Sequence, residues 1–155
     1  MQELMTTRET IVWAAKQQIG YKETGTNLTK YGKAFGLDGK AWCGMFVSWI
    51  YAKCGVPLPK IGFSKPGFAS CQKAARHFAE AGMLTVDPQP ADIVFYDWDQ
   101  NGWFDHTGIF VRRIDATYFE AIEGNTSVGN NSNGGQVMLR KRKFSQAIFV
   151  SAVKT

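Results

Sequence analysis

The chain has 155 residues, of which 45 % are hydrophobic and 14 % aromatic. This length and composition predict a folded domain with a packed core and argue against intrinsic disorder. The net charge of +5 favours an anionic partner, such as nucleic acid or another anionic polymer. The sequence contains no CxxC pair, GxGxxG motif or Walker A motif, which excludes zinc-ribbon, dinucleotide and NTP-hydrolysing sites.

The N-terminus and the cysteines indicate where the chain is made. Residues 1–20 carry Glu3 and Glu9 and lack a basic region followed by an apolar block, so we expect no Sec-type signal peptide. No stretch approaches the roughly 18–20 apolar residues that span a bilayer, so we expect no membrane insertion. Three cysteines cannot all pair within one chain. We therefore expect synthesis in a reducing cytosol, with at least one free thiol.

The first half of the chain is predicted to be helical. Thr6 and Glu9 fit a capping box, and an apolar pattern with helical spacing follows them. We predict three helices, which lie within residues 6–20, 43–55 and 67–81, and a polar, Gly-rich connection over residues 21–40.

The second half contains five short runs of β-branched and aromatic residues, separated by Asp, Asn and Gly clusters. The predicted strands are ADIVFYDW, HTGIFVRRI, ATYFEAIEG, QVMLRKRKF and AIFVSAV. Residues 83–91 mark the change between the two halves. Helices followed by strands predict a single α+β domain over residues 1–155, in which N-terminal helices pack on a C-terminal antiparallel sheet.

Cys43 is a candidate nucleophile because it lies where a polar loop meets a predicted helix. The free N–H groups and the dipole at a helix N-terminus lower a thiol pKa and favour the reactive thiolate. Cys54 falls at the opposite end of this helix, and Cys71 falls inside the third predicted helix, so we expect both to be core residues. Position alone leaves Cys43 equally consistent with a buried apolar residue.

A cysteine nucleophile needs a base and a group that orients the base. His77 is expected on the solvated face of a helix, whereas His106 begins a strand, where it would be held rigidly near the surface. His106 is also consistent with an ordinary half-buried strand histidine. The next strand ends in Glu123 and Asn125, which we expect beside His106 as acceptors for the imidazole. Glu120 is an alternative acceptor, further from the polar end of the strand.

A possible structural calcium site precedes His106. In the segment DWDQNGWFD, oxygen ligands recur at alternate positions with a glycine at the sixth place, as in the first part of an EF-hand loop. The candidate ligands are Asp97, Asp99, Asn101 and Asp105. Gly108 stands where an EF-hand has its bidentate glutamate, and a hairpin turn at Asn101-Gly102 is the alternative interpretation. No cofactor is expected for the chemistry itself.

Basic and aromatic residues suggest further surfaces. Residues 140–143 are four consecutive basic residues, which indicate either a solvated edge strand or a surface for anionic polymers. Trp42, Trp98 and Trp103 flank the candidate site in sequence and are candidates for a substrate groove. Trp42 is equally consistent with a core role.

Three motifs in chain order resemble the signature of CHAP-type cysteine peptidases, part of the wider NlpC/P60 papain-like group. They are WCGMFVSW, DHTGI and IEGNTS. The segments GYKETG, NLTKYGKAFG, ADIVFYDWDQNG and NGGQVMLRKR are also similar to CHAP domains of phage endolysins and related cell-wall hydrolases. The resemblance covers residues 20–149 and implies a papain-like α+β fold.

The resemblance also implies roles for individual residues. Cys43 would be the nucleophile, His106 the base and Glu123 the residue that orients the imidazole, while Asn125 matches a fourth polar position often seen in CHAP sites. Such enzymes cleave amide bonds of peptidoglycan, either between muramic acid and L-alanine or within the peptide. The backbone N–H of Cys43 would help to bind the oxyanion, and Tyr31 is a candidate for a further side-chain donor.

The expected partner is bacterial peptidoglycan, with anionic wall polymers such as teichoic acids as a second; we expect a monomer that binds no nucleic acid. Without a signal peptide, the chain would reach the wall during phage lysis or by another export route, or would be a domain of a longer protein. The alternatives are an antibacterial toxin of the same chemistry, a papain-like transferase acting on other amides, and a non-catalytic module that binds cell wall or nucleic acid.

Overall fold

The computed structural model describes residues 4–154, so Glu3 lies outside the described residues. The helices are α1 (Thr7–Gln17), α2 (Lys30–Phe35), α3 (Cys43–Lys53) and α4 (Cys71–Glu80). The strands are β1 (Leu84–Thr85), β2 (Ile93–Tyr96), β3 (His106–Arg113), β4 (Tyr118–Thr126), β5 (Gln136–Lys143) and β6 (Ala147–Val150), with a short 3₁₀ helix (Phe144–Gln146) before β6. Helices and a six-stranded sheet confirm the predicted α+β class.

All six strands form one antiparallel sheet, in the order β1-β6-β2-β3-β4-β5. Strand β3 is therefore central, and its first residue, His106, pairs with Tyr96 of β2. Strand β5 is an edge strand, as predicted for the basic segment. No helix within residues 4–154 is long and apolar enough to cross a bilayer.

Helix α3 packs on the sheet across β3 and β4. Its apolar residues, including Phe46 and Ile50, are fully buried, as expected of a helix that is hydrophobic on nearly all sides. The close approach depends on Gly124 of β4, because a Cβ atom there would lie only 2.7 Å from Cβ of Phe46 and 2.8 Å from the ring of Trp42. Gly124 thus allows the helix that begins at Cys43 to lie directly against the sheet.

The N-terminal capping box is confirmed: the Thr6 hydroxyl accepts the N–H of Glu9, and the Glu9 carboxylate accepts the N–H of Thr6. Helix α2 was missed, because it lies in the segment expected to be a polar connection. It is short, but Thr29 caps its start, and Gly36 ends it in the left-handed conformation at φ 84°.

The structure differs from the prediction at the start of the third predicted helix and at β1. The third predicted helix begins at Cys71, with Ser70 as its N-cap, so Cys71 lies at a helix start rather than inside the helix. Strand β1 has only two residues and was missed because so short a segment shows no alternation. Cys54 does lie at the C-terminal cap of α3, as predicted.

We predict that Gly124→Ala destabilises the fold by about 1–3 kcal/mol, because the added methyl group overpacks the contact with Phe46. Urea denaturation would measure the change in the free energy of unfolding. Gly129→Ala is the matched control, since a Cβ atom at Gly129 meets no atom within 4 Å. Equal midpoints for the two variants would contradict this account of the contact between α3 and β4.

Candidate active site

Cys43 is the first residue of α3 and is 4 % exposed. Its N-cap residue, Trp42, provides no side-chain hydrogen bond, so the N–H groups of the first turn are not used by a cap. The other three α-helices of residues 4–154 do have side-chain caps, which are Thr6, Thr29 and Ser70. The free N–H groups beside Cys43 favour negative charge on its sulfur and on an oxygen bound next to it.

Cys71 lies against Cys43, with the two Sγ atoms 3.7 Å apart. Each cysteine is the first residue of its helix, and both are buried as free thiols. The expectation that Cys71 is only a core residue is therefore incomplete. Its thiol can donate a hydrogen bond to a Cys43 thiolate.

His106 and Glu123 form a fully buried pair, in which Nε2 of the imidazole lies 3.0 Å from Oε1 of the carboxylate. The carboxylate can only accept, so Nε2 carries the proton that is donated. Nδ1 is buried and has no hydrogen-bond partner within residues 4–154, which leaves it as the ring nitrogen available to the Cys43 thiol. Glu120, the alternative acceptor, pairs instead with Arg112 on the surface.

His106 is buried rather than near the surface as expected. The rings of Tyr96 and Trp98 stack on the imidazole, with centroid distances of 5.7 and 6.0 Å. Tyr96 and Trp98 also stack on each other, with 4.6 Å between ring centroids, so the imidazole packs against a pair of rings.

The charges of the site follow from these contacts. A hydrogen bond from Cys71 is the main cause that lowers the pKa of Cys43 well below its ordinary value; burial opposes it, and His106 and the Gly44 N–H lower the pKa further. The same hydrogen bond and burial raise the pKa of Cys71 well above its ordinary value. Burial lowers the pKa of His106, but its interactions with the nearby Cys43 sulfur and with the Glu123 carboxylate outweigh burial and raise the pKa to about 9. The site thus favours a thiolate beside an imidazolium.

Arg142 completes the network from the edge strand. Its Nε lies 2.8 Å from Oε2 of Glu123, and its Nη2 lies 2.5 Å from Oε1. Burial raises the pKa of Glu123, but hydrogen bonds and charges from Arg142 and His106 outweigh it and lower the pKa to about 2. The alternation along this edge strand separates the basic residues: Arg142 is only 7 % exposed, whereas Lys141 and Lys143 are exposed, as expected of a solvated edge strand.

Gly108 allows the Glu123 side chain to approach His106. A Cβ atom at this position of β3 would lie 2.7 Å from Cγ of Glu123. Sequence reasoning missed Gly108, Cys71 and Arg142 as parts of the site. For Arg142 the period of a strand was an available signal, since Arg140 and Arg142 must share a face; for Cys71 no local signal indicates its neighbour.

Asn125 lies next to this network but makes its hydrogen bonds elsewhere. It adopts a left-handed conformation at φ 57°. Its side chain donates to Asn133 and accepts the N–H of Gly135. These contacts order the loop between β4 and β5. The assignment of Asn125 to the catalytic residues stays a prediction.

Two of the three predicted substrate-binding residues are core residues. Tyr31 is fully buried, and its hydroxyl donates to Gln18 at 2.6 Å rather than to the site. Trp42 is also fully buried and stacks on Tyr31, with 5.5 Å between ring centroids. Neither ring offers a face to a substrate, so both expectations are corrected. Trp103 is 57 % exposed and remains a candidate substrate-binding residue.

The predicted calcium ligands lie in the loop between β2 and β3. The Asp97 carboxylate accepts the N–H groups of Asn101 and Gly102, and the Asn101 side chain accepts the N–H of Trp103. Burial raises the pKa of Asp105, and the negative charges of Asp99 and Asp97 raise it further. In residues 4–154, however, no three acidic, histidine or cysteine side chains are grouped to hold a metal ion. As arranged, these residues do not fit a calcium site, and calcium binding stays a prediction of the sequence.

Cys71→Ala should raise the pKa of Cys43, because it removes the thiol that donates to the thiolate. We expect iodoacetamide to alkylate Cys43 more slowly at pH 6 in this variant, as followed by the mass of the cysteine peptides. Cys54→Ala is the control, since Cys54 lies at the far end of α3. Preferential labelling of Cys71 in the unmutated protein would contradict the assignment.

Calorimetric titration tests the calcium prediction. From the observed arrangement we expect no heat of calcium binding to the unmutated protein. A saturable heat that is lost in both Asp97→Ala and Asp99→Ala would show instead that the loop rearranges around the ion.

Comparison with known proteins places this site in a family. The family model of the CHAP domain matches residues 32–125, more than half of the chain. This range includes Cys43, His106, Glu123 and Asn125. A search of curated proteins finds no match. The chain therefore belongs to the CHAP domain family, whose members are typically peptidoglycan-related hydrolases or amidases that act on the cell wall.

Proposed function

We propose that this chain hydrolyses an amide bond of bacterial peptidoglycan through Cys43 and an acyl-enzyme intermediate. The observation that carries the proposal is the position of Cys43, at an uncapped helix N-terminus and next to His106, which is itself hydrogen-bonded to Glu123. A nucleophile, a base and a group that orients the base form the minimal set for acyl transfer by a cysteine.

The proposed reaction begins with attack of the Cys43 thiolate on the substrate carbonyl carbon. The N–H groups at the start of α3 stabilise the oxyanion that forms. His106 then donates the proton on Nδ1 to the amine, which leaves as the C–N bond breaks and the thioester remains. Water attacks the thioester and gives a proton to His106, which restores the thiolate and releases the acid. Glu123 holds the imidazole through Nε2 in every step.

A groove next to Cys71 supports an anionic substrate. It is lined by Trp103 and by the basic residues Lys73 and Arg76 of α4, with Glu80 as the acidic residue of the lining. Gln72, next to Cys71, accepts the N–H of Phe104 at 2.8 Å and so joins the groove to the segment before His106. We propose that Trp103 contacts the glycan or stem peptide and that the basic residues attract anionic wall polymers.

We further propose that the chain works as a phage endolysin or a related lytic enzyme, which reaches the wall during lysis or through another export route. An antibacterial toxin of the same chemistry would use the same site. The sequence similarity to CHAP domains of phage endolysins supports the first role.

Cys43→Ala should abolish cleavage of purified peptidoglycan, because no other described thiol occupies an uncapped helix start beside an imidazole. Zymography detects the loss, and mass analysis of the released fragments identifies which amide bond is cut. Cys54→Ala is the matched control and should retain activity.

Equal activity of the two variants would refute the catalytic assignment. Binding of the unmutated protein to peptidoglycan without any cleavage would support the alternative of a non-catalytic wall-binding module.

A further inference from the structure

The Glu123 carboxylate is held from two sides. His106 contacts Oε1 alone, at 3.0 Å. Arg142 contacts both oxygens through Nε and Nη2, at 2.8 and 2.5 Å. A carboxylate bound only by the imidazole could rotate about its last bond, whereas two parallel hydrogen bonds from one planar guanidinium fix its plane.

The guanidinium is itself fixed by an aromatic ring. Its carbon lies 4.8 Å from the ring centroid of Trp98, which also stacks on His106 at 6.0 Å. Trp98 is held in turn by a hydrogen bond from its indole N–H to Ser132, at 2.7 Å. The same ring therefore packs against both groups that contact Glu123.

Arg140 provides a control for Arg142, because the two arginines share their other hydrogen-bond partners. Arg140 lies two residues earlier on β5, and both guanidinium groups donate to Thr126, the last residue of β4, and to Asn131 in the loop that follows. Of the two arginines, Arg142 is the one that reaches Glu123. A comparison of the two residues distinguishes support of this loop from an effect on the carboxylate.

We propose that Arg142 is a positioning residue, which fixes the Glu123 carboxylate against His106 and so keeps the imidazole aimed at Cys43. The inference rests on the proposed function, because it concerns the same site. Arg142 acts through Glu123 and does not contact the substrate. A lysine cannot replace it fully, since an ammonium group lacks the rigid fork that binds both oxygens.

The first test uses Arg142→Met and Arg140→Met and requires no peptidoglycan. The pH dependence of Cys43 alkylation by iodoacetamide reports the thiolate that His106 stabilises. We expect the midpoint of this dependence to rise by about one pH unit in Arg142→Met, which is a tenfold lower rate at any pH below the midpoint, and to stay unchanged in Arg140→Met. A midpoint in Arg142→Met equal to that of the unmutated protein would overturn the proposal.

The second test measures cleavage of soluble peptidoglycan fragments. Arg142→Met should lower kcat on the order of 10²-fold, because a displaced base reacts poorly, with little change in KM; Arg142→Lys should recover part of the loss. In the Glu123→Gln background, Arg142→Met should change kcat by no more than about twofold. Independent, additive losses would show that Arg142 does not act through Glu123.

Folding is checked in the same set of variants. Arg142→Met leaves the Glu123 carboxylate buried without its main partner, whereas the Glu123→Gln/Arg142→Met double variant removes both charges. We expect the double variant to unfold at a higher temperature than Arg142→Met while its kcat stays low, which separates positioning from stability. If the unmutated protein cleaves no peptidoglycan, the proposed function fails, and the alkylation rates still decide the role of Arg142.

Discussion

The structure depends on one buried carboxylate. Glu123 is fully buried in the sheet, where an isolated negative charge would be strongly unfavourable, and it is tolerated because His106 and Arg142 satisfy both oxygens. Removal of one partner from a buried ion pair costs about 3–5 kcal/mol, because it leaves a charge uncompensated. The three residues come from β3, β4 and β5, so the network also ties together three neighbouring strands. The register of the sheet and the electrostatics of the site are therefore linked.

The helices supply the other half of the site. Cys43 is aimed by the burial of α3, whose apolar residues pack against β3 and β4, with Gly124 allowing the close contact. The thiolate gains stabilisation from three sources that belong to different parts of the chain: the helix N-terminus, the imidazole of His106 and the thiol of Cys71. A burial of this depth would otherwise favour the neutral thiol.

Some basic and aromatic residues support the buried site, and others lie on the surface. Arg142 faces inward and serves the carboxylate, whereas Lys141 and Lys143 alternate with it and face solvent. The aromatic rings divide in the same way, since Trp98 packs on His106 and Trp103 lies open beside the groove. The basic and aromatic residues that the sequence groups together thus have two roles, support of the site and exposure at the surface. Only the direction of each side chain shows which role a residue has.

Local pattern determined much of this protein. The capping box, the helical spacing after Cys43 and the run of strands predict α1, α3 and the sheet, because caps and periodicity act within a few residues. The order of cysteine, histidine and glutamate motifs led to the candidate triad of Cys43, His106 and Glu123.

Only the tertiary structure decided which distant groups meet. Cys71 lies beside Cys43 because α4 starts where α3 starts, although 28 positions separate the two sulfur-bearing residues. Arg142 reaches Glu123 across 19 positions because of the way β4 and β5 pair. Tyr31 and Trp42 are core residues because their rings stack on each other. Whether a ring next to a polar loop is buried or exposed depends on such neighbours, which are distant in sequence. Such contacts depend on the packing of whole elements, which short-range sequence signals do not encode.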